Sequence, residues 1–189
     1  MSDERQGAGR LGLVAEFVNT RDFDEEVDHL ASAADLAEWL TGHGLAAPGL
    51  VAGSADLRHA VELREALRSA LLANNDGEPV GTDALAVLNR AGRRGRLVVR
   101  FDTGGEAPLE PVSSDVDGAL ARLLSIVHDA AATGDWPRLK VCRSDTCRWA
   151  FYDQSKNRSR HWCSMEVCGS QAKARSYRRR RAADESDQT

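Results

Sequence analysis

The sequence predicts an α+β protein in which a mainly helical N-terminal domain with a small β-hairpin precedes a small treble-clef-like four-cysteine zinc finger that ends in a basic helix. Three observations support this fold class. Capped segments with apolar residues at helical spacing occupy most of the first 134 residues, all four cysteines lie within a 27-residue window, and a run of arginines follows them. We expect domains at residues 10–137 and 138–181, followed by an acidic tail at 182–189.

Apolar residues recur at intervals of three and four through the N-terminal domain and predict its helices. The segment LGLVAEFVNT, residues 11–20, favours a short buried helix, although a strand is also compatible with it. A second helix is predicted after Ser32, a good N-cap, and the longest is predicted over 54–75 with Ser54 as its cap. The polar residues of that helix that are expected to face water are Arg58, Glu62, Glu65 and Arg68.

Strand and helix signals alternate through the rest of this domain. A shorter capped helix is predicted over 82–92. RLVVRFDT and APLEPVS, within residues 96–113, form the predicted hairpin, because β-branched residues favour strands and the Gly-Gly pair between them favours a turn. A last amphipathic helix is predicted over 114–134. RDFDEEVDH, residues 21–29, is expected to be a solvated acidic loop, and Asn19-Thr20 before it either caps the next segment or lines a ligand pocket.

The cysteines form two close pairs with the spacing C-x4-C-x15-C-x4-C, and they are Cys142, Cys147, Cys163 and Cys168. Structural zinc is usually held in a tetrahedron by two such pairs, with about 15–20 residues between them so that the chain can return. We therefore predict one structural zinc ion per chain, with a coordination sphere closed by four thiolates. Buried free thiols, a redox dithiol pair and an iron–sulfur cluster remain alternative interpretations of the spacing.

Five of the ten aromatic residues lie in or just after this window, at positions 149, 151, 152, 162 and 177. A module this small lacks an ordinary core, so aromatic side chains packed around a metal would compensate, and Trp149 and Tyr152 are expected to be buried. We expect RWAFYD to pair with RHWC as a short hairpin. A helix is predicted to start at Ser164, with Cys163 and Cys168 near its first turn.

Charge is divided unevenly along the chain. Residues 1–137 carry a formal charge of −11, residues 138–181 carry +10 and the last eight carry −3, within a net charge of −4. A basic segment of this kind attracts phosphates and releases their counterions, so we predict DNA contact through the C-terminal helix. The candidate contacts are Lys173, Arg175, Arg178, Arg179, Arg180 and Arg181. A solvated tail, or one that docks on the acidic domain, would have the same composition.

The segment VCRSDTCRWAFYDQSKNRSRHWCSMEVCGSQAKARSYRRRR, which begins at Val141, resembles the CGNR zinc fingers of bacterial proteins. GLVAEFVNTRD and HLASAADLAEWLTGHGL resemble the ABATE domain that precedes this finger, so the resemblance spans residues 10–181. It implies a stress-induced transcriptional regulator with a DNA-binding finger and with the four cysteines as zinc ligands. The chain departs from the Cys-Gly-Asn-Arg motif that gives the family its name, because Ser170-Gln171 replaces the Asn-Arg. This replacement retains the metal site but removes the positive charge of the arginine.

These observations favour a zinc-binding transcriptional regulator whose N-terminal domain senses a signal or forms a homodimer. The alternative is a protein–protein adaptor whose finger docks on an acidic partner or domain, and RNA contact would require exposed aromatic residues. We expect no enzymatic activity, because the five histidines have neither metal-ligand spacing nor a triad pattern. A cytoplasmic location without membrane contact is expected, since the chain has no long apolar stretch and its polar N-terminus lacks a signal-peptide core.

Overall fold

The computed structural model of the protein describes residues 8–175 and 177–178. The helices of the N-terminal domain are α1 (Leu11–Val18), α2 (Ala33–Gly42), α3 (Ser54–Ala73), α4 (Thr82–Arg94) and α5 (Val116–Thr133), which confirms the predicted helical segments. A 3-10 helix at Trp136–Arg138 leads into the C-terminal part, where a π-helix spans Met165–Gly169 and residues 170–175 continue as α-helix. None of the helices within these described ranges is long and apolar enough to cross a lipid bilayer.

Short strands form three separate antiparallel pairs within the described residues. The pairs are β1 (Arg21–Asp22) with β2 (Val27–Asp28), β3 (Leu97–Val99) with β4 (Leu109–Pro111), and β5 (Leu139–Val141) with β6 (Ala150–Tyr152). The second pair is the hairpin that the sequence predicts. The first pair lies in the acidic segment expected as a solvated loop, which is instead a small hairpin with Glu26 at a φ of 55° in its turn. The α+β fold class is confirmed.

Local hydrogen bonds define the helix ends. Ser32 caps α2 as predicted, because its hydroxyl accepts from the Asp35 N–H and the Asp35 carboxylate accepts from the Ser32 N–H at 2.8 Å. Helix α3 is capped one residue earlier than predicted, since Gly53 rather than Ser54 occupies the N-cap. Gly134 ends α5 in the left-handed region at a φ of 78°, a conformation that glycine adopts without steric cost.

One hydrophobic core joins the helices to the β5–β6 hairpin. Helices α1, α2, α3 and α5 bury their apolar faces in this core, and Phe17 and Leu123 are fully enclosed. Leu139, Val141 and Ala150 from β5 and β6 belong to the same core. The core therefore continues across the domain boundary predicted at residue 138, and the cysteine module is built directly on the N-terminal domain.

Two arginines of α3 are buried, although the sequence predicts that Arg68 faces water. Arg64 forms a bidentate ion pair with Asp28 of β2, with N–O distances of 2.7 and 2.8 Å. Arg68 is 4% exposed and donates to the carbonyl oxygens of Val18 and Arg148 at 2.6 and 2.9 Å. The prediction is wrong because the guanidinium satisfies backbone oxygens that burial has removed from water. Arg68 thereby connects α1, α3 and the cysteine module.

Three asparagines extend this connection. The Asn19 amide donates to the Ala150 carbonyl at 3.0 Å and accepts from the Ala150 N–H at 2.7 Å, so it takes the place of a neighbouring strand at the edge of β6. Asn74 donates to the Leu139 carbonyl at 2.9 Å, and Asn75 donates to the Val141 carbonyl at 2.8 Å. Asn19 therefore does not cap the next segment, but pairs with a residue 131 positions later in the chain.

A buried ion pair holds the loop that follows β6. The Lys140 ammonium lies 2.8 Å from the Asp153 carboxylate, and the two side chains are 1% and 0% exposed. The remaining Lys140 protons are donated to the carbonyls of Arg158 and Arg160, while Asp153 also accepts from the N–H groups of Ser155 and Arg160. Burial disfavours the Asp153 carboxylate, but hydrogen bonds from Lys140 and Ser155 outweigh it and lower the pKa of Asp153 to about 2.

Replacement of Asp153 by alanine is expected to lower the free energy of unfolding by about 3–5 kcal/mol, because the Lys140 ammonium is left buried without a counter-charge. Urea denaturation of the zinc-loaded protein at neutral pH measures this loss. The stabilisation from the lowered Asp153 pKa is present above pH 3.8, the ordinary carboxyl pKa, and disappears as the pH falls towards 2.

The control for this variant is Asp129→Ala, which breaks an exposed ion pair with Arg10. It should cost less than about 1 kcal/mol, because exposed pairs contribute little to stability. An equal and small loss in the two variants would contradict a stabilising role for the buried pair.

Candidate metal centre

The first cysteine pair occupies the tip of the β5–β6 hairpin. Cys142 directly follows β5, and its N–H donates to the Trp149 carbonyl at 2.9 Å across the hairpin. The chain then turns tightly, with the Cys147 N–H bonded to the Ser144 carbonyl at 3.0 Å and Arg148 in the left-handed region at a φ of 49°. This turn brings together two sulfurs that are separated by four residues in the sequence.

The second pair lies at the start of the C-terminal helix. Cys163 immediately precedes Ser164, where the sequence predicts that the helix starts. Ser164 is its N-cap and accepts a hydrogen bond from the Val167 N–H at 3.3 Å. Cys168 lies within the π-helix Met165–Gly169, whose turn is wider than an α-helical one. The helix continues through residues 170–175, so the element that carries Cys168 also carries the first basic candidates.

The four sulfurs form one compact cluster. All four Sγ atoms lie within 4.8 Å of one another, and the distance from Cys163 Sγ is 3.5 Å to Cys147 Sγ and 3.7 Å to Cys168 Sγ. A tetrahedral site with Zn–S distances of about 2.3 Å has S–S edges of about 3.8 Å, close to these separations. The cysteines are free thiols rather than disulfides, with Cys142 and Cys168 buried and the other two half-buried.

Four thiolates at this spacing require a cation. Hydrogen bonds from Cys147 and Cys163 favour a thiolate at Cys142 and lower its pKa to about 2. The pKa values of Cys147 and Cys163 are raised because each thiol hydrogen-bonds to Cys142 and lies beside its charge, and burial raises the pKa of Cys168. A divalent cation removes this repulsion, and four soft sulfur donors in a tetrahedron fit Zn²⁺. Because the protein fills all four positions, such a site is structural and leaves no place for a reactive water.

An arginine that the sequence analysis does not single out supports the second pair. Arg160 donates from Nε to the Trp162 carbonyl at 2.9 Å, and its guanidinium also donates to the Cys163 carbonyl. The same guanidinium lies 5.0 Å from the centroid of the Phe151 ring, and Phe151 packs with Cys142 in a small cluster around the sulfurs. The sequence carries little signal for this role, because the polar partners are backbone carbonyls. Its only local hint is the position of Arg160 three residues before a cysteine.

Two expectations about this module are wrong. RWAFYD does not pair with RHWC, because its residues 150–152 form β6 and pair with β5, whose Leu139 and Val141 offer a buried apolar strand. Trp149 and Tyr152 are half-buried rather than buried, since both line a cavity beside α1. The aromatic residues are therefore shared between packing on the N-terminal domain and packing around the metal centre.

Exposed basic residues of the module's described part lie at three places, one of which is Arg148 at the tip of the β5–β6 hairpin. Lys173, Arg175 and Arg178 are exposed at the C-terminal helix. Lys156 and Arg158, which the sequence analysis does not single out, are exposed in the loop after β6. The candidate contacts Arg179, Arg180 and Arg181 lie outside the described residues.

Family models match nearly the whole chain. Residues 11–134 match the ABATE model, described as "Putative stress-induced transcription regulator", and residues 138–181 match the CGNR zinc finger. The fold and the four-sulfur centre define a zinc-finger protein. Within that class, the chain belongs to the ABATE family and carries a C-terminal CGNR zinc finger, as the resemblance indicates. No curated protein matches the chain.

The family and the geometry agree on the cofactor. The CGNR finger brings four cysteines close enough for one zinc ion, which confirms the zinc prediction. The matched families describe a regulator and a zinc finger rather than an enzyme. Zinc at this centre would connect the tip of the β5–β6 hairpin to the start of the C-terminal helix.

Removal of zinc is expected to lower the thermal midpoint of the whole protein by at least about 5 °C, because β5 and β6 share the N-terminal core. Metal analysis should find one zinc ion per chain. Far-ultraviolet circular dichroism, dominated by α1 to α5, follows the midpoint before and after chelation.

Cys168→Ser should lose the zinc and show the same low midpoint. Val167→Ser, at a neighbouring position that is 52% exposed, should keep both the zinc and the midpoint. If chelation leaves the helical midpoint unchanged, the module and the domain unfold independently and the shared core does not couple them.

Proposed function

We propose that this protein is a transcriptional regulator that binds DNA through its C-terminal zinc module and has no catalytic role. One arrangement carries this proposal: a single helical segment begins at the four-cysteine centre and bears exposed basic residues along its length. Zinc ligation by all four cysteines would anchor the start of that segment to the β5–β6 hairpin. A helix anchored in this way presents its cations at defined positions, which reduces the entropy lost on binding.

The module stays strongly basic when it holds zinc. Its formal charge of +10 falls to about +8 once four thiolates and one Zn²⁺ are counted. Binding to a duplex would neutralise phosphates and release condensed counterions, which favours association at low salt. The proposed DNA contacts are Lys173, Arg175, Arg178, Arg179, Arg180 and Arg181.

Docking of these cations on the acidic N-terminal domain finds no support in the described residues. Lys173, Arg175 and Arg178 are exposed, and none has an ion-pair partner within the described ranges. The module and the domain are instead joined by buried groups such as Arg68, and by an ion pair between Arg143 and Asp76. Lys173, Arg175 and Arg178 are therefore accessible to an external polyanion.

We also propose that the N-terminal domain senses a small molecule in a cavity of about 470 Å³ between α1 and β6. This volume lies within the range of about 300–1,000 Å³ that is common for small-molecule sites. Aromatic side chains of Trp39, Trp149 and Tyr152 line the cavity, together with the Glu16 carboxylate. Aromatic walls favour a planar apolar ligand.

Residues that line the cavity are hydrogen-bonded to the metal centre. Trp149 lines it, and the carbonyl of Trp149 accepts the N–H of Cys142 at 2.9 Å. Asn19 also lines it and holds both backbone groups of Ala150. A ligand that displaces β6 would therefore act on the hairpin that carries the first cysteine pair, which offers a route from signal to DNA-binding module.

Replacement of Lys173, Arg175 and Arg178 by alanine is expected to weaken duplex binding and to flatten its salt dependence. The plot of log K against log salt has a negative slope, and loss of three phosphate contacts should make it less steep by about 2.7. Anisotropy titrations of a labelled duplex over a series of salt concentrations measure both quantities. A second variant with alanine at positions 178–181 tests the end of the basic segment in the same way.

The matched control is Arg10→Ala with Arg58→Ala and Arg93→Ala, which removes the same charge from exposed positions of the N-terminal domain. It should leave the slope unchanged. An unaltered slope in the helix variant would remove the DNA role from this segment. Duplex affinity no stronger than that of a generic polycation at physiological salt would favour the protein–protein adaptor instead.

Ala15→Phe is expected to abolish binding of the uncharged probe N-phenylnaphthylamine, because Ala15 lines the cavity and a phenyl ring there would fill it. Probe fluorescence during titration with the zinc-loaded protein measures the binding.

Ala131→Phe places the same ring at an exposed position of α5 and serves as the control that keeps probe binding. Thermal midpoints of both variants establish that they are folded. Equal probe binding by the two variants would show that the fluorescence does not report this cavity.

A further inference from the structure

The β3–β4 hairpin carries a group of exposed apolar side chains. Val98, Val99, Phe101 and Val112 are 40%, 55%, 77% and 46% exposed. The register places Val99 and Phe101 on one face of the hairpin and Val98 and Val112 on the other, so apolar side chains are exposed on both faces, as is typical of an interaction surface. The arm also forms one wall of an open cleft of about 690 Å³, lined by Leu97 and apolar residues of α4 and α5 together with polar ones, namely Asn89, Arg93, Arg96 and His128.

Backbone geometry leaves β3 as the open edge of this hairpin. The Arg100 N–H bonds to the Pro108 carbonyl at 3.0 Å, and the register pairs Val98 with Glu110. Because bonded and non-bonded pairs alternate in an antiparallel ladder, Leu97, Val99 and Phe101 direct their N–H and C=O groups away from β4. These groups have no hydrogen-bond partner within the described residues.

The outer edge of β4 is less able to pair. Pro111 lies at an outward-facing position of the register and has no N–H to donate. Strand β4 also packs against α5, as the contacts between these two elements show. An incoming strand would therefore add to β3.

We infer that two copies of this chain form a two-fold dimer in which the β3 edges pair with each other in antiparallel orientation. A two-fold axis at Val99 is the arrangement that these outward groups favour, because Leu97 then pairs with Phe101 of the second copy and Val99 pairs with its own equivalent. Arg96, which precedes β3 at a φ of 52°, would then lie near Asp102 of the second copy, so unlike charges come close at both ends. The product is a four-stranded antiparallel sheet, β4-β3-β3-β4.

The cleft beneath the hairpin supports this register. Residues directly opposite each other in a ladder project to the same face of the sheet. Leu97 projects into the cleft, so Phe101 of the second copy would project into it as well. Phe101, the one aromatic residue of residues 96–113, thereby meets the apolar part of the cleft, and two-fold symmetry makes this contact twice.

This dimer goes beyond the DNA-binding and sensing roles proposed above, and it would present two zinc modules related by a two-fold axis. It requires neither zinc nor DNA. Its interface uses only the N-terminal domain, and its test is therefore separate from the tests of those roles.

The test is disulfide cross-linking of zinc-loaded Val99→Cys protein under mild oxidation. In a hydrogen-bonded antiparallel pair the Cα atoms are about 5.5 Å apart, within the range of about 4.4–6.8 Å that a disulfide spans. We expect a covalent dimer on a non-reducing gel. Val98→Cys on the same strand and Val51→Cys, which is 88% exposed at its position, should stay monomeric on that gel.

Sedimentation or light scattering gives the second readout. The wild-type protein should have twice the 20.5 kDa mass of the chain, and Phe101→Lys should shift it to the monomer, whereas Val51→Lys should not. A monomeric wild-type protein, cross-linking of Val99→Cys no greater than that of Val98→Cys, or a dimer that survives Phe101→Lys would each overturn the proposal.

Discussion

The β5–β6 hairpin is the element on which the rest of the structure depends. Its apolar side chains, among them Leu139 and Ala150, complete the core of the N-terminal domain, while its tip carries Cys142 and Cys147. Side-chain amides and Arg68 hold the backbone on both sides of it. Because this hairpin contributes to both the core and the metal centre, the CGNR finger and the ABATE domain share one hydrophobic core.

Buried and exposed charged groups differ in whether they have partners of opposite charge. Inside, each buried charge has compensating partners: Lys140 meets Asp153, Arg64 meets Asp28, and the sulfur cluster is suited to a zinc ion. This compensation is necessary because an unpaired buried charge costs several kcal/mol, of the order of about 3–5 when one partner of a pair is lost. Outside, the cations near the C-terminal helix have no such partner in the described residues.

Much of the fold was predictable because its signals are local. Apolar spacing and the Ser32 cap predict helices that the structure contains, and the paired spacing of four cysteines predicts their convergence. Strand partners were less predictable. RWAFYD has the composition of a strand, but composition does not tell which strand pairs with it, and the partner proved to be Leu139–Val141 rather than RHWC. The half-burial of Trp149 follows from the same packing and was missed for the same reason.

By itself, the sequence determined the helical periodicity, the single cluster of four thiols and the separation of acidic from basic segments, because each of these depends on residues close together in the chain. Only the tertiary structure decided that Arg68 and Lys140 are buried and that Asn19 replaces a neighbouring strand. A polar side chain can leave water only where partners compensate its lost hydration. Some of those partners lie far away in sequence, up to 131 residues for Asn19 and Ala150, and only the folded chain brings them together.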